Sequence, residues 1–322
     1  MRVLITGGGG FLGQKLARAL GQNCRLRGQT IRELVLADLV APPPLDLPFA
    51  CRNLACDLRD AASVGAVMAQ PFDVVFHLAA IVSGQAEADF DLGLAVNLFG
   101  TLNVLQAARA SGNCPVVVYA SSIAAHGGEE PEILVDGLEL NPQTSYGTQK
   151  VMGELLLNDM TRRGMIDGRG LRLPTVSIRP GKANAAASSF MSSIFRDTMQ
   201  GETSNCPVAR DYPIYHTAPR TVVANLIYAA NLDGAAFGAN RNVNLPGRTD
   251  TVGAMIAAMT LVAGPEPAAR ITWNADPVIR QIVAGWRGHV VPEKALRLGF
   301  HADASFEESV RWFLEDDIVK AR

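Results

Sequence analysis

The sequence is poor in the features that mark several classes of protein. Its five cysteines are odd in number and include no Cys-x-x-Cys pair, so neither a disulfide framework nor a zinc site is indicated. The 29 basic residues nearly balance the 31 acidic residues, which argues against nucleic acid or an anionic membrane as a partner. No apolar run approaches the ~18 residues that span a bilayer, and a strand pattern starts at once, which leaves no room for a signal peptide. We therefore expect a cytoplasmic protein with reduced thiols and no metal.

A glycine-rich turn lies between the first strand pattern and the first helix pattern. Residues 3–5 form a short, wholly apolar run, and residues 15–20 carry apolar side chains at helical spacing. Between them, Gly7, Gly10 and Gly13 are spaced so that the backbone can approach a pyrophosphate at the N-terminus of the helix. This arrangement predicts a dinucleotide-binding α/β fold of the Rossmann type.

Later strand patterns end in residues that suit the rest of a bound dinucleotide. Residues 34–38 end in Asp38, whose carboxylate can accept hydrogen bonds from the ribose hydroxyls and repel a 2′-phosphate, so NAD is favoured over NADP. A surface aspartate in a turn is the alternative. Residues 73–80 end in small residues that would let the cofactor lie against the backbone, and His77 in this strand is expected to be a packed histidine without a chemical role. The contacts expected at these strand ends are Asp57, Leu58, Leu78, Ala79 and Ala80.

Three residues in two neighbouring elements are the candidate catalytic groups. Tyr146 and Lys150 are four residues apart on a helix that Thr144 or Ser145 can cap, so a phenol and an ammonium share one face. A nearby cation lowers the pKa of the phenol, as acid–base chemistry near neutral pH requires. Ser122 ends the fifth strand pattern, where side chains face the ligand crevice, and could orient a substrate hydroxyl. A Tyr-x-x-x-Lys spacing alone usually marks a solvated helix face, and a lone serine at a strand end usually caps a helix, but their joint presence favours catalysis.

The pattern changes after the sixth strand, which we expect within residues 173–181 together with its exit. We predict that residues 1–180 form the NAD-binding domain, with a doubly wound parallel sheet. Residues 181–322 should form mainly a smaller substrate-binding lobe, and a segment near 215–250 should return to the first domain.

A small acidic substrate would need a cation to hold its carboxylate. Arg220 could clamp the carboxylate with two parallel hydrogen bonds, although a solvated arginine beside a helix start is an equally open interpretation. Lys182 is the competing cation. The residues expected to bind the substrate are Ser83, Ser122, Tyr146, Asn184 and Arg220.

These motifs occur together in an order that resembles the extended short-chain dehydrogenases, the NAD-dependent epimerase/dehydratase family. The resemblance covers nearly the whole chain, including a C-terminal pattern at residues 294–308. Its elements are the glycine turn at 6–13, Asp38, Asp57-Leu58, the run 77–80, Asn97, Ser121-Ser122, Tyr146 with Lys150, and Arg179-Pro180.

Within that family, the runs 77–87, 142–150 and 179–184 are similar to those of dehydrogenases that act on small sugar acids. The resemblance implies NAD-dependent oxidation of the C2 hydroxyl of a four-carbon sugar acid to the 2-oxo acid. It also implies a homodimer joined through the helices that contain Asn97 and Tyr146. The further cofactor contacts that it implies are Phe11, Leu12, Asn97, Tyr146, Lys150 and Pro180.

Two other functions would use some of the same candidate catalytic and cofactor-binding residues. A nucleotide-sugar 4-epimerase would need the same Ser122, Tyr146 and Lys150 but would retain its NAD, and a non-catalytic NAD-binding protein would not need all three. Sugar-nucleotide dehydratases carry an acid pair after the strand-end hydroxyl, whereas Ile123-Ala124 follows Ser122 here, so dehydration is disfavoured.

Overall fold

The computed structural model describes residues 1–181, 187–277, 279, 283 and 285–318. The chain divides into two compact units. No helix within the described ranges is both long and apolar enough to cross a membrane. The first unit consists of Met1–His126, Leu140–Leu173 and Val223–Asn244, and the second consists of Gly127–Glu139, Pro174–Val222 and Leu245–Arg322.

Strands and helices follow one another along the chain. The strands are β1 (Arg2–Thr6), β2 (Arg25–Leu26), β3 (Gln29–Thr30), β4 (Glu33–Asp38), β5 (Ala50–Ala55), β6 (Val74–His77), β7 (Val116–Ser122), β8 (Ile133–Val135), β9 (Asp167–Leu173), β10 (Thr175–Val176), β11 (Ser204–Asn205), β12 (Pro213–Thr217), β13 (Asn242–Asn244), β14 (Arg248–Thr251), β15 (Ile271–Thr272) and β16 (His289–Val291). The helices are α1 (Phe11–Asn23), α2 (Ala61–Val67), α3 (Ser83–Ala88), α4 (Phe90–Gly93), α5 (Thr101–Ala110), α6 (Ser145–Arg162), α7 (Phe190–Met199), α8 (Pro219–Asn231), α9 (Val252–Ala263), α10 (Glu266–Ala269), α11 (Glu293–Arg297) and α12 (Phe306–Asp316), with a π-helical segment at Leu94–Gly100 and 3-10 turns at Ile123–Ala125, Ala187–Ser189 and Gly234–Phe237.

A parallel sheet forms the centre of the first unit. Its described strands lie in the order β13-β9-β7-β6-β1-β4-β5, and each neighbouring pair is parallel. The first strand is wholly apolar and buried from Val3 to Ile5 because both faces of the sheet are covered. The strand order reverses between β1 and β6, and ligands of doubly wound folds bind at such a switch point, at the carboxyl ends of the strands. The predicted Rossmann-type α/β fold is therefore confirmed.

Residues 90–110 form one continuous helical stretch, and its middle is wider than an α-helix. The π-helical segment Leu94–Gly100 joins α4 directly to α5. Such segments are rare and occur often at functional sites. In this segment Asn97 is buried.

The strand that follows α6 begins earlier than the sequence indicated. β9 spans Asp167–Leu173, so only its last residue falls in the expected range 173–181. Within that range Thr175 and Val176 form the short strand β10, which belongs to the second unit. Position 168 of β9 has room only for glycine, because a Cβ atom there would lie 2.6 Å from Leu157 Cγ of α6. With glycine at two positions and arginine at two more, the strand has only Leu171 and Leu173 as apolar residues, too few for the pattern by which a buried strand is usually found.

The second unit contains small sheets and an apolar core. β10, β12 and β14 form one sheet, in which β12 pairs antiparallel with β14, and two further parallel pairs join β11 to β15 and β8 to β16. Helices α7, α9 and α12 bury apolar side chains in this core. Phe195 and Phe306, for example, pack with their ring centroids 4.8 Å apart.

Candidate active site

The glycine turn between β1 and α1 has no room for side chains. Gly7 has a φ of +73°, and a Cβ atom there would lie 2.7 Å from the backbone nitrogen of Ala79. A Cβ atom at Gly13 would overlap the turn itself, at the backbone of Gly7. Gly10 is the N-cap of α1 and provides no side-chain cap, so the first N–H groups of this helix remain suited to bind phosphate. The next two contacts expected at the turn, Phe11 and Leu12, begin α1.

Asp38 lies at the carboxyl end of β4 beside this turn. Its Oδ2 accepts a hydrogen bond from the backbone N–H of Gly9 at 3.0 Å, and its Oδ1 accepts one from Leu39 at 2.8 Å. Because a carboxylate can accept about four hydrogen bonds, each oxygen can still accept one from a ribose hydroxyl. The same fixed charge would repel a 2′-phosphate, so the geometry supports the predicted preference for NAD.

Asp57 and Leu58 follow β5 and lie next to the end of β4, because the Cys56 N–H donates to the Asp38 carbonyl at 2.7 Å. Asp57 forms an ion pair with Arg59 at 2.6 Å, and hydrogen bonds from Arg59 hold the pKa of that carboxyl below its usual value. Leu58 is buried. The structure thus places both residues beside the end of β4 that carries Asp38, and their contact with a cofactor stays a prediction.

His77 is a buried structural residue, as its apolar strand indicates. Its Nδ1 lies 2.6 Å from Thr6 Oγ1, and its Nε2 lies 2.9 Å from Thr101 Oγ1. Thr101 donates its hydroxyl hydrogen to the Asn97 carbonyl, so it can only accept from His77, and the ring hydrogen is therefore on Nε2. Burial, with a smaller contribution from the Lys150 charge, lowers the pKa of His77 to about 3 and keeps the ring neutral.

Asn97 holds the loop that follows β6. Its Oδ1 accepts from the Ile81 N–H at 2.8 Å, while its Nδ2 donates to the Ile81 carbonyl at 3.1 Å and to Gln149 Oε1 at 2.7 Å. Both amide hydrogens are therefore bound to protein atoms. Asn97 therefore holds this loop in place, and its expected contact with the cofactor stays a prediction. The loop carries three of the expected contacts, Leu78, Ala79 and Ala80.

Helix α6 begins where the sequence predicted, and Thr144 is its N-cap. The Thr144 hydroxyl accepts from the Gly147 N–H at 3.1 Å. The Lys150 ammonium lies 5.5 Å from the centre of the Tyr146 ring, so the phenol and the cation meet on one face as their spacing requires.

The Lys150 ammonium is buried between two aromatic rings. It donates to the Ala120 carbonyl at 2.8 Å and lies 4.9 Å from the centre of the Tyr119 ring. Burial lowers the pKa of Lys150 to about 7, and the Glu154 carboxylate opposes that shift. A lysine in this environment can exchange its proton near neutral pH, which suits a partner of an acid–base tyrosine.

Ser122 ends β7, and its hydroxyl accepts one hydrogen bond and can donate another. Its Oγ accepts from the Ala124 N–H at 3.1 Å and so caps the 3-10 turn that follows. The hydroxyl hydrogen is still available for a substrate oxygen. Helix α6 lies close to this turn, because a Cβ atom at Gly147 would lie 2.8 Å from Pro142 Cβ and would overlap the Ala124 carbonyl.

A buried ionic cluster behind Lys150 was not predicted. Glu154 accepts a hydrogen bond from the Ser121 hydroxyl at 2.5 Å and forms an ion pair with Arg172 at 2.6 Å. All three side chains are buried. One signal was present in the sequence, since Glu154 follows Lys150 by the same four residues by which Lys150 follows Tyr146.

The expected substrate contacts are only partly described. Ser83 is the first residue of α3 in the first unit and is half-buried. Pro180, the expected cofactor contact after the sixth strand, is half-buried in the second unit. Asn184 and Lys182, the competing cation, lie outside the described residues.

Arg220 does not present a free cation, which corrects its prediction as the carboxylate clamp. Its guanidinium donates to Glu315 at 2.9 Å and to Asp316 at 3.0 Å, and it lies over the Trp312 ring. The fork geometry that would bind a substrate carboxylate is therefore already occupied by two carboxylates of α12.

Comparison with known proteins identifies relatives of the same length. The model of the NAD dependent epimerase/dehydratase family matches residues 3–217. A D-erythronate dehydrogenase from Cupriavidus necator is 49% identical over 320 residues, which are 98% of each chain. A D-erythronate dehydrogenase from Haemophilus influenzae is 41% identical over 321 residues, which are 99% of this chain and 100% of that one.

A solved structure shows the same architecture. The crystal structure described as a nucleoside-diphosphate-sugar epimerase from Agrobacterium tumefaciens superposes with a TM-score of 0.93 at 40% identity. The match covers 98% of this chain and 94% of that chain.

Proposed function

Because the chain belongs to the NAD-dependent epimerase/dehydratase family, we propose that it oxidises the C2 hydroxyl of D-erythronate, or of a closely related small sugar acid, to the 2-oxo acid. Its relatives make it a dehydrogenase of the sugar-acid type that uses a nicotinamide cofactor. The observation that carries the choice of substrate is the 49% identity over 98% of both chains to a D-erythronate dehydrogenase.

The first unit fits NAD. Gly7 and Gly13 leave the backbone bare at the turn, and the uncapped N-terminus of α1 would hold the pyrophosphate. Asp38 would bind the adenosine ribose, beside Asp57 and Leu58. When bound, NAD supplies the hydride acceptor.

The residues of the chain supply the proton chemistry. The Tyr146 phenolate would take the proton of the substrate hydroxyl, and Lys150 would stabilise that phenolate at a distance of 5.5 Å from the ring centre. The Ser122 hydroxyl would donate to the substrate oxygen and orient it while its own lone pair stays bound to Ala124. Each proton thus has a named donor and acceptor.

An epimerase is the second candidate, favoured by the name of the Agrobacterium tumefaciens structure. It would use the same Ser122, Tyr146 and Lys150 but would return the hydride to its sugar, so reduced cofactor would not accumulate. A non-catalytic NAD-binding protein has no use for a buried lysine beside a tyrosine, and Ile123-Ala124 after Ser122 disfavours a dehydratase.

Mixing the protein with NAD and D-erythronate tests the proposal. A dehydrogenase accumulates free NADH, which is followed by its absorbance, while an epimerase or a binding protein does not. A panel of C4 and C5 sugar acids and a UDP-sugar should be measured in parallel. Turnover of the UDP-sugar without NADH release would replace the proposal by the epimerase.

A homodimer is part of the proposal. Apolar side chains on the helices that contain Asn97 and Tyr146 are exposed in the single chain, including Phe90, Phe99 and Leu155. Such exposed apolar groups on adjacent helices suit a contact with a second copy. Light scattering after size-exclusion chromatography would give the mass of the particle.

A further inference from the structure

The face of α6 that carries the catalytic residues continues for one more turn. Tyr146, Lys150 and Glu154 follow one another at a spacing of four residues. Glu154 is buried, and its carboxylate accepts hydrogen bonds from Ser121 Oγ at 2.5 Å, from Arg172 Nε at 2.9 Å and from Arg172 Nη2 at 2.6 Å. Both carboxylate oxygens are therefore held in fixed positions.

The partners of Glu154 lie side by side on the sheet. Ser121 of β7 and Arg172 of β9 are register neighbours in the parallel pair, so their side chains leave the same face of the sheet. Helix α6 covers that face, since a Cβ atom at Gly153 would lie 2.9 Å from Tyr119 Cζ of β7. The cluster of Ser121, Glu154 and Arg172 thus joins one helix to two strands.

Ser121 lies between two residues of the candidate active site, Ala120 and Ser122. The carbonyl of Ala120 accepts from the Lys150 ammonium at 2.8 Å, and Ser122 carries the hydroxyl assigned to the substrate. A hydrogen bond to a charged acceptor is shorter and stronger than a neutral one, so the bond from Ser121 to Glu154 restrains the strand end against α6.

We propose that Glu154 is a positioning residue: through Ser121 it fixes the end of β7, and with it Ala120 and Ser122, against the helix that carries Tyr146 and Lys150. The proposal rests on the proposed dehydrogenase function, in which these groups must meet one substrate hydroxyl. A buried ion pair such as Glu154–Arg172 adds little net stability compared with apolar residues of the same size, so its value here is the geometry it imposes.

Ser121→Ala tests the link with the smallest change. It removes one hydroxyl and leaves the Glu154–Arg172 ion pair and every catalytic side chain in place. A small misplacement of reacting groups can lower a rate by up to about 100-fold, so we expect kcat to fall about tenfold, with KM and the Kd for NAD within about twofold. Ser111→Ala is the matched control, because it removes a hydroxyl that bonds to the Ala108 carbonyl and Asn113 at the end of α5. This control should keep kcat unchanged.

Repeating Ser121→Ala in a variant that lacks the ion pair tests whether Ser121 acts through Glu154. Glu154→Leu alone would leave Arg172 charged and buried, so the background is Glu154→Leu with Arg172→Met, which removes both charges and the acceptor of the Ser121 hydroxyl. Adding Ser121→Ala to it should change kcat less than about twofold, because coupled residues are not additive.

Any one of three results would overturn the proposal. The first is a kcat of Ser121→Ala within twofold of the unmodified enzyme, and the second is a loss of activity that appears in KM instead of kcat. The third is the same tenfold loss of kcat when Ser121→Ala is added to the background without the ion pair. All values are ratios to the unmodified enzyme on a sugar acid that it oxidises. Failure of the unmodified enzyme to oxidise any sugar acid would instead count against the proposed function.

Discussion

Replacing Lys150 by methionine removes a charge that the fold buries at high cost. Lys150 is 2% exposed, and burial lowers its pKa from 10.5 to about 7. Between pH 7 and pH 10 the unfolded chain therefore holds a proton on Lys150 that the folded protein partly releases. Since the unfolded state binds more protons, the free energy of unfolding of the unmodified apoenzyme should rise with pH in this window.

The size of the effect follows from the shift. One pKa unit corresponds to about 1.4 kcal/mol, so burial of the charge lowers the stability by about 4 kcal/mol at pH 7 and by about 2 kcal/mol at pH 9. Lys150→Met also loses the hydrogen bond to the Ala120 carbonyl and the contact with the Tyr119 ring, but the part of both that depends on the charge of Lys150 is already contained in its shifted pKa. The stability of the variant relative to the unmodified enzyme should therefore fall by about 2 kcal/mol between pH 7 and pH 9.

Urea unfolding of both apoenzymes at the two pH values measures this change. Comparing the two proteins at each pH cancels other titrating groups, such as the buried Cys206 thiol, whose pKa is raised. The variant should also lose almost all dehydrogenase activity. A stability difference that is the same at both pH values would refute the reasoning, because it would mean that Lys150 does not change its protonation on unfolding.

Three further variants test the site. Tyr146→Phe should lower kcat by about 10²–10⁴ and leave the Kd for NAD unchanged, as measured by steady-state kinetics and fluorescence titration; a kcat near that of the unmodified enzyme would remove Tyr146 from the mechanism. Asp38→Ala should reduce the preference for NAD over NADP, measured as the ratio of kcat/KM values, whereas an unmodified enzyme that prefers NADP would contradict the assignment of Asp38. Arg220→Ala should keep KM for the sugar acid within about twofold and lower the free energy of unfolding by less than about 1 kcal/mol, because its ion pairs are at the surface; a rise in KM of more than tenfold would restore the clamp.

The parts of the site that could be predicted from the sequence depend on local spacing. The glycine turn, the N-cap Thr144 and the pair Tyr146 and Lys150 each lie within a few residues, so one helix or one turn fixes their geometry. The packed histidine at position 77 follows from its apolar strand in the same way.

The parts that could not be predicted depend on residues distant in the chain. Arg220 meets Glu315 and Asp316 only through the fold, so its sequence neighbours gave no sign that two carboxylates already hold it. β9 was placed too late because Gly168 packs against Leu157 and Thr161 of α6 and Gly170 packs against Asn242 of β13, which leaves few apolar side chains in the strand.

The π-helical segment at Leu94–Gly100 also bears on how related chains should be aligned. Its wider turn accommodates one residue more than an α-helix over the same rise, and each residue of an α-helix turns the chain by about 100°. A relative with a single deletion in this segment could keep every apolar residue of α5 and yet rotate Asn97 away from Ile81 and Gln149. A one-residue gap at this point would therefore mark a lineage that holds the loop after β6 by another means, even where the catalytic tyrosine and lysine are retained.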